Sequence, residues 1–226
     1  MTVVRAEMLK AATIPALRWT AALTAIVSVL LLAVLRRDAP STGSVSAEAV
    51  AAGMWTWVGL IQTGFLAAGI LVSTKEHTSA LGRTTLLVEP RRQAVWAARL
   101  TVLVGASLPA AAALAATALL ALDTDPGRAS AEAAARTGVW LVAVAVIAAG
   151  VGAALRRVLG ATSLLLLLVV VAPAVAQNLG QWARWLPGAA AQDWVREGAW
   201  SDGAVVLAWA MVAAVAGAAR LALSDA

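Results

Sequence analysis

The chain has 226 residues, of which 62% are hydrophobic and 13% charged, with a formal net charge of +5. That apolar excess is far above a soluble domain, and several uninterrupted runs reach the roughly 20 residues needed to cross a bilayer, so lipid is the expected solvent. With no cysteine and one histidine, His77, disulfides, thiolate chemistry and multi-histidine metal sites are excluded.

The first 16 residues have mixed polarity. Val4, Met8, Ala11 and Ala12 can share one helical face, and Arg5, Glu7 and Lys10 occupy much of the rest. This pattern predicts an amphipathic helix lying at a membrane interface, separated from the next helix by Pro15. Arg5 and Lys10 ahead of an apolar run imitate a secretory leader. No small-residue cleavage site precedes Arg36-Arg37 and more apolar runs follow, so an uncleaved first span is expected.

Six spans can be drawn: Trp19–Leu35, Val50–Val72, Leu100–Leu122, Thr137–Leu155, Val158–Ala176 and Ala204–Leu223. Each backbone N–H and C=O must be paired within the segment in hydrocarbon, and the alternation of barrel strands is absent, so the fold class is an all-α membrane protein of six transmembrane helices in a single domain, 1–226. Between spans 1 and 2, Ser46 is placed as an N-cap and Glu48 in the first turn that follows. Between spans 4 and 5, "RRVLG" predicts a tight turn at Gly160. Pro109 and Pro173 are positioned to kink spans 3 and 5. The segment 177–203 holds Trp182, Trp185, Trp194 and Trp200. It reads as short helices at the outer interface, broken at Pro187-Gly188, or as a simple loop with interfacial anchors.

With the N-terminus placed inside, the inner segments carry eleven of the basic residues and the outer segments six. The positive-inside rule therefore predicts both termini in the cytoplasm. Dispersed in this way, the basic residues read as topology signals and not as a nucleic-acid surface.

The missing chemistry is equally informative. A phosphate-binding loop needs lysine after glycine, and the lysines here are Lys10 after Leu9 and Lys75 after Thr74. There is no H-E-x-x-H metal motif, and "GATSLL" is not a nucleophile elbow. Ionisable residues are nearly missing from the spans, unlike those of ion-coupled pumps. The most central polar group is Gln62 with Thr63. Gln62 either lines a substrate path, with Thr63 and Phe65 beside it, or bonds a neighbouring helix. A bundle with no nucleotide site and no buried charge relay can receive energy mechanically from a partner.

The segment between spans 2 and 3 suits such a role. Read as a helix from about Thr78 to Glu89, it puts Ala80, Leu81, Thr84, Leu87 and Val88 on one face, with Pro90 ending it and Arg91-Arg92 following. A basic, solvated loop that only sets topology is the alternative. "EHTSALGRTTLLVEPRRQAVWAARL" resembles the corresponding segment of ABC-2 type (type V) ABC transporter permeases. Glu76, Arg83, Thr84, Thr85, Leu86, Leu87, Pro90, Arg91, Arg92, Ala98 and Arg99 fall in register, and Ala80-Leu81 stands where that family carries a Gly-Thr pair. "WLPGAA" at Trp185–Ala190 and the six-span layout extend the resemblance over most of the chain.

The resemblance implies a connecting helix at 1–16 and a coupling helix within 76–90 that docks into a separate ATP-binding cassette subunit. Glu76, Arg83, Thr84, Leu87, Pro90 and Arg91 would couple to it. Two permease copies, identical or paralogous, would enclose a path mainly through spans 2 and 5. Trp182, Trp185, Pro187 and Trp194 would belong to an outer cap. No cofactor is implied for this chain; ATP and Mg would sit on the partner, so the chain itself is not expected to be an enzyme. An amphipathic cargo such as a peptide antibiotic, a drug-like compound or a lipid is expected, exported from a bacterial plasma membrane, with self-resistance as one setting. A stand-alone carrier or scaffold without an ATPase is the competing expectation.

Overall fold

The structure is a computed structural model that describes residues 3–37, 46–78, 92–122 and 127–223. The described residues are almost wholly helical and contain no strand. The elements are α1 (Val3–Thr13), α2 (Pro15–Arg37), α3 (Ala47–Thr78), α4 (Arg92–Leu122), α5 (Arg128–Leu155), α6 (Val158–Leu165), a π-helical turn (Leu166–Val171), α7 (Ala172–Leu179), a 3-10 turn (Gly180–Trp185), α8 (Pro187–Glu197) and α9 (Trp200–Leu223). Among the described residues, six stretches are long and apolar enough to cross a membrane: α2, most of α3, α4, α5, the α6–α7 pair and α9. The chain is thus a helical protein of the multi-pass membrane type.

Helix ends follow local chemistry. Pro15 opens α2 at the one place where its missing N–H costs nothing. Ser46 caps α3, its Oγ accepting from the Ala49 N–H at 3.2 Å. At 1.5 Å per residue the 32 residues of α3 reach about 48 Å. That exceeds the roughly 30 Å hydrocarbon core, so α3 must tilt or project beyond it. Several threonine hydroxyls inside the spans are silenced by their own helices. Thr24 donates to the Thr20 carbonyl at 2.7 Å, Thr74 to Ile70 at 2.7 Å and Thr137 to Ala133 at 2.8 Å.

α5 is the hub. Of its most apolar stretch 67% is buried, against 11% for α2 and 17% for α9, which therefore lie at the periphery. Its sequence is rich in Ala and Gly, and small residues let helix backbones approach closely where lipid supplies no hydrophobic drive. A Cβ at Gly69 of α3 would lie 2.7 Å from the Ala148 methyl of α5. A Cβ at Gly150 of α5 would lie 2.9 Å from that of Ala213 in α9. Neither crossing admits a side chain.

Contacts fix which helix ends share a side. Ser73 and Thr74 of α3 meet Gly152 of α5, Trp96 of α4 meets Gly217 of α9, and Glu7 of α1 meets Arg99 of α4. At the opposite side Gly53 meets Leu122, and Gly203 of α9 meets Trp194 of α8. The bundle therefore has an α1 face and an α8 face, with neighbouring spans antiparallel.

One expectation is corrected here. The turn after α5 is not made by Gly160, which lies inside α6. Arg156 adopts the left-handed conformation at φ 54°, and its N–H closes the helix end on the Gly152 carbonyl at 2.9 Å. The break is set by the α5 C-cap, which comes four residues earlier than the glycine. The two span prolines sit in different surroundings: α4 is one continuous helix across Pro109, whereas Pro173 follows a six-residue π turn. Lacking an N–H, Pro173 cannot bond the Val169 carbonyl, and the wider turn before it accommodates that loss.

Candidate functional site

On the α1 face a charge cluster ties the N-terminal helix to the bundle. Glu7 and Arg99 are both buried, at 8% and 3% exposure. Glu7 Oε2 lies 3.9 Å from Arg99 Nε, and Glu7 Oε1 lies 3.7 Å from Lys10 Nζ. Burial pushes the Lys10 ammonium below the usual lysine range; Glu7 opposes that shift and Arg99 adds to it. The face of α1 turned inward is therefore its charged face. Val4, Met8 and Leu9 are exposed, as an interfacial helix with its apolar side to lipid requires.

Between α3 and α4 runs the segment that carries the permease-like motif. Arg83, Thr84, Leu87, Pro90 and Arg91, with the expected helix from Thr78 to Glu89, lie outside the described residues apart from Thr78 itself. Glu76 sits in the last turn of α3, its side chain outside the described set. The flanks are defined: α3 enters this segment as one continuous helix, and α4 leaves it carrying Arg99, the residue that holds α1.

At mid-membrane, Gln62 bonds a neighbouring helix. Its side chain is 2% exposed; Oε1 accepts from the Trp140 indole N–H of α5 at 2.9 Å, and Nε2 donates to the Gly59 carbonyl at 3.3 Å. Trp140 is fully buried. The three residues considered together for a path are not brought together within this chain. Phe65 is buried like Gln62, whereas Thr63 is exposed and donates to its own helix, at the Leu60 carbonyl, at 2.6 Å. An equivalent tie joins α2 to α3, where Trp57 donates to the Ser28 hydroxyl at 2.9 Å. Another joins α4 to α9, where Trp96 donates to the Ala214 carbonyl at 3.0 Å. These interior roles of Trp57, Trp96 and Trp140 are not among the expectations drawn from the sequence. A signal exists for Trp57, which falls well inside its apolar run, where an indole N–H must find an acceptor.

On the α8 face, the tryptophan-rich segment is a 3-10 turn followed by a helix that enters the bundle. Pro187, Ala190, Ala191, Trp194 and Val195 recur at helical spacing and are all buried. Trp194 is therefore not an interfacial anchor, contrary to expectation. It lies on the inward face of α8, with its ring against Gly203 of α9, where a Cβ would come within 2.7 Å of it. Trp182, Trp185 and Trp200 are exposed at 70%, 55% and 83%. Pro187 opens α8 at its first position. Gly188 packs on the π turn, where a Cβ would stand 2.5 Å from the Val169 carbonyl oxygen. The α8 helix thereby covers the one irregular stretch of backbone in the fifth span. Partial burial, with Glu197 and Asp202 nearby, pushes the Asp193 carboxyl above its ordinary value, Arg196 opposing.

The class defined by this architecture is a six-span helical membrane protein with one lateral helix at each face. Compared with protein families, with curated proteins and with solved structures, the chain matches none.

Proposed function

We propose that this chain is the membrane subunit of an ATP-binding-cassette exporter, driven by a separate ATPase that docks on the α1 face. That face lies in the cytoplasm of a bacterial plasma membrane, because the basic residues concentrate on it. The observation that carries the proposal is the motif register from Glu76 to Arg99. The packing around that segment supports it. The motif joins two long helices, α3 and α4, and its last basic residue, Arg99, is buried against Glu7 of α1. A displacement of the 76–91 segment would be delivered to α1, α3 and α4 together, and through the Gln62–Trp140 bond to the α5 hub. Two such chains would enclose the path of an amphipathic cargo, and α8 would close it at the outer face.

Reconstitution tests this directly. The chain with its ATPase should hydrolyse ATP in step with export, and Leu87→Asp should abolish that coupling while leaving membrane insertion intact. Export at full rate by Leu87→Asp removes the docking assignment. Uphill transport by the chain with no other polypeptide present favours the stand-alone carrier instead.

A further inference from the structure

A groove of about 620 Å³ opens on the α8 face between the 3-10 turn and the first two turns of α9. Its walls are mostly apolar and include Val205, Ala208 and Trp209, while Arg184 and Asp202 line its polar part. The groove is pre-formed. Trp209 donates its indole N–H to the Trp185 carbonyl at 2.7 Å, clamping the 3-10 turn against α9. Arg184 is held over the Trp185 ring, 5.4 Å from its centroid. Neither Arg184 nor Asp202 is in an ion pair among the described residues.

The depth follows from helix geometry. Asp202 is in the first turn of α9, and Trp209, seven residues later, lies about 10 Å further along the axis. A ligand here would have a charged end at the membrane boundary and an apolar end about 10 Å into hydrocarbon. The boundary end offers one cation and one anion, both free to pair.

We propose that this groove is a binding site for a zwitterionic phospholipid of the leaflet on the α8 face. Arg184 takes the phosphate, Asp202 takes the headgroup ammonium, and an acyl chain lies along Val205, Ala208 and Trp209. An anionic phospholipid would satisfy Arg184 but bring no cation to Asp202, so the charge pattern selects against it. The site depends only on the chain spanning a bilayer and is independent of any ATPase partner.

Native mass spectrometry of the full chain in detergent, titrated with phosphatidylethanolamine and separately with phosphatidylglycerol, tests the assignment. Wild type should hold phosphatidylethanolamine roughly threefold to tenfold more tightly, the range of one net hydrogen-bonded contact, that of the ammonium with Asp202. Arg184→Ala should weaken both lipids. Asp202→Asn should weaken phosphatidylethanolamine alone and erase the preference. Ala208→Trp fills the groove from an exposed position without touching either charge, and should weaken both lipids. Equal affinity of wild type for the two lipids overturns the proposal. So does unchanged phosphatidylethanolamine binding by either Asp202→Asn or Ala208→Trp.

Discussion

The Gln62–Trp140 bond separates a structural polar group from a cargo-binding one, and removing one partner tests it. Gln62→Leu keeps the side-chain volume and deletes the acceptor. The Trp140 indole N–H, with no exposed surface, then loses the acceptor it bonds in the fold. A buried polar group stripped of its partner costs about 1–3 kcal/mol, and inter-helix hydrogen bonds in membranes contribute about 0.6–1.7 kcal/mol. The expected loss is therefore about 1–2 kcal/mol. Trp140→Phe should lose a similar amount plus a packing term, while Gln62→Leu with Trp140→Phe should lose less than the sum, because no polar atom is then left orphaned. Equilibrium unfolding of the four proteins in mixed micelles with increasing dodecyl sulfate measures the coupling energy. A coupling below about 0.3 kcal/mol, within the range of independent sites, would refute the bond. If that absence came with lost cargo affinity in Gln62→Leu, Gln62 would belong to a path instead.

Three further outcomes are expected. Trp194→Ala should cost about 3–5 kcal/mol, as for a buried aromatic, and Trp182→Ala no more than about 0.5 kcal/mol, as at a surface position; the same unfolding assay compares them. Glu7→Ala should free α1 from α4 at a cost of up to about 3 kcal/mol, the low end for a broken buried pair, because Glu7 and Arg99 are 3.9 Å apart. Hydrogen exchange of the α1 amides should quicken, with exposed Arg5→Ala as the unchanged control. Lys10 carries a pH signature. Its folded value lies below the ordinary 10.5, so between the two values the unfolded chain binds more protons and stability rises with pH. The penalty is present in full below the folded value and is relieved as pH climbs towards 10.5. Thermal unfolding of Lys10→Met across that window should lack the rise seen in the wild type.

The lateral helices mark how far local reading reaches. Pro15 separates α1 from α2 as its chemistry requires, and Val4 and Met8 of α1 are exposed. Yet the docking of α1 through Glu7 was invisible, because its partner Arg99 lies far along the chain behind two spans. On the other face, the helical recurrence of Pro187, Ala190, Ala191, Trp194 and Val195 was present in the sequence. It was obscured by the usual preference of tryptophan for headgroups. Of the candidate site, the motif register at 76–99 is legible only as sequence, whereas the Gln62 partner is legible only in the fold.

The sequence by itself determined that this chain crosses a membrane as helices, roughly where each span lies and which segments carry the basic residues. Those properties are sums along the chain: backbone groups must pair within each segment in hydrocarbon, and apolar length is counted locally. Tertiary structure decided which faces meet: α5 at the centre, Gln62 on Trp140, Glu7 on Arg99 and Trp194 turned inward. In lipid both sides of a span are apolar, so hydrophobic periodicity no longer marks the buried side. The choice passes to small-residue crossings and single polar contacts, such as Gln62 with Trp140, which are 78 residues apart.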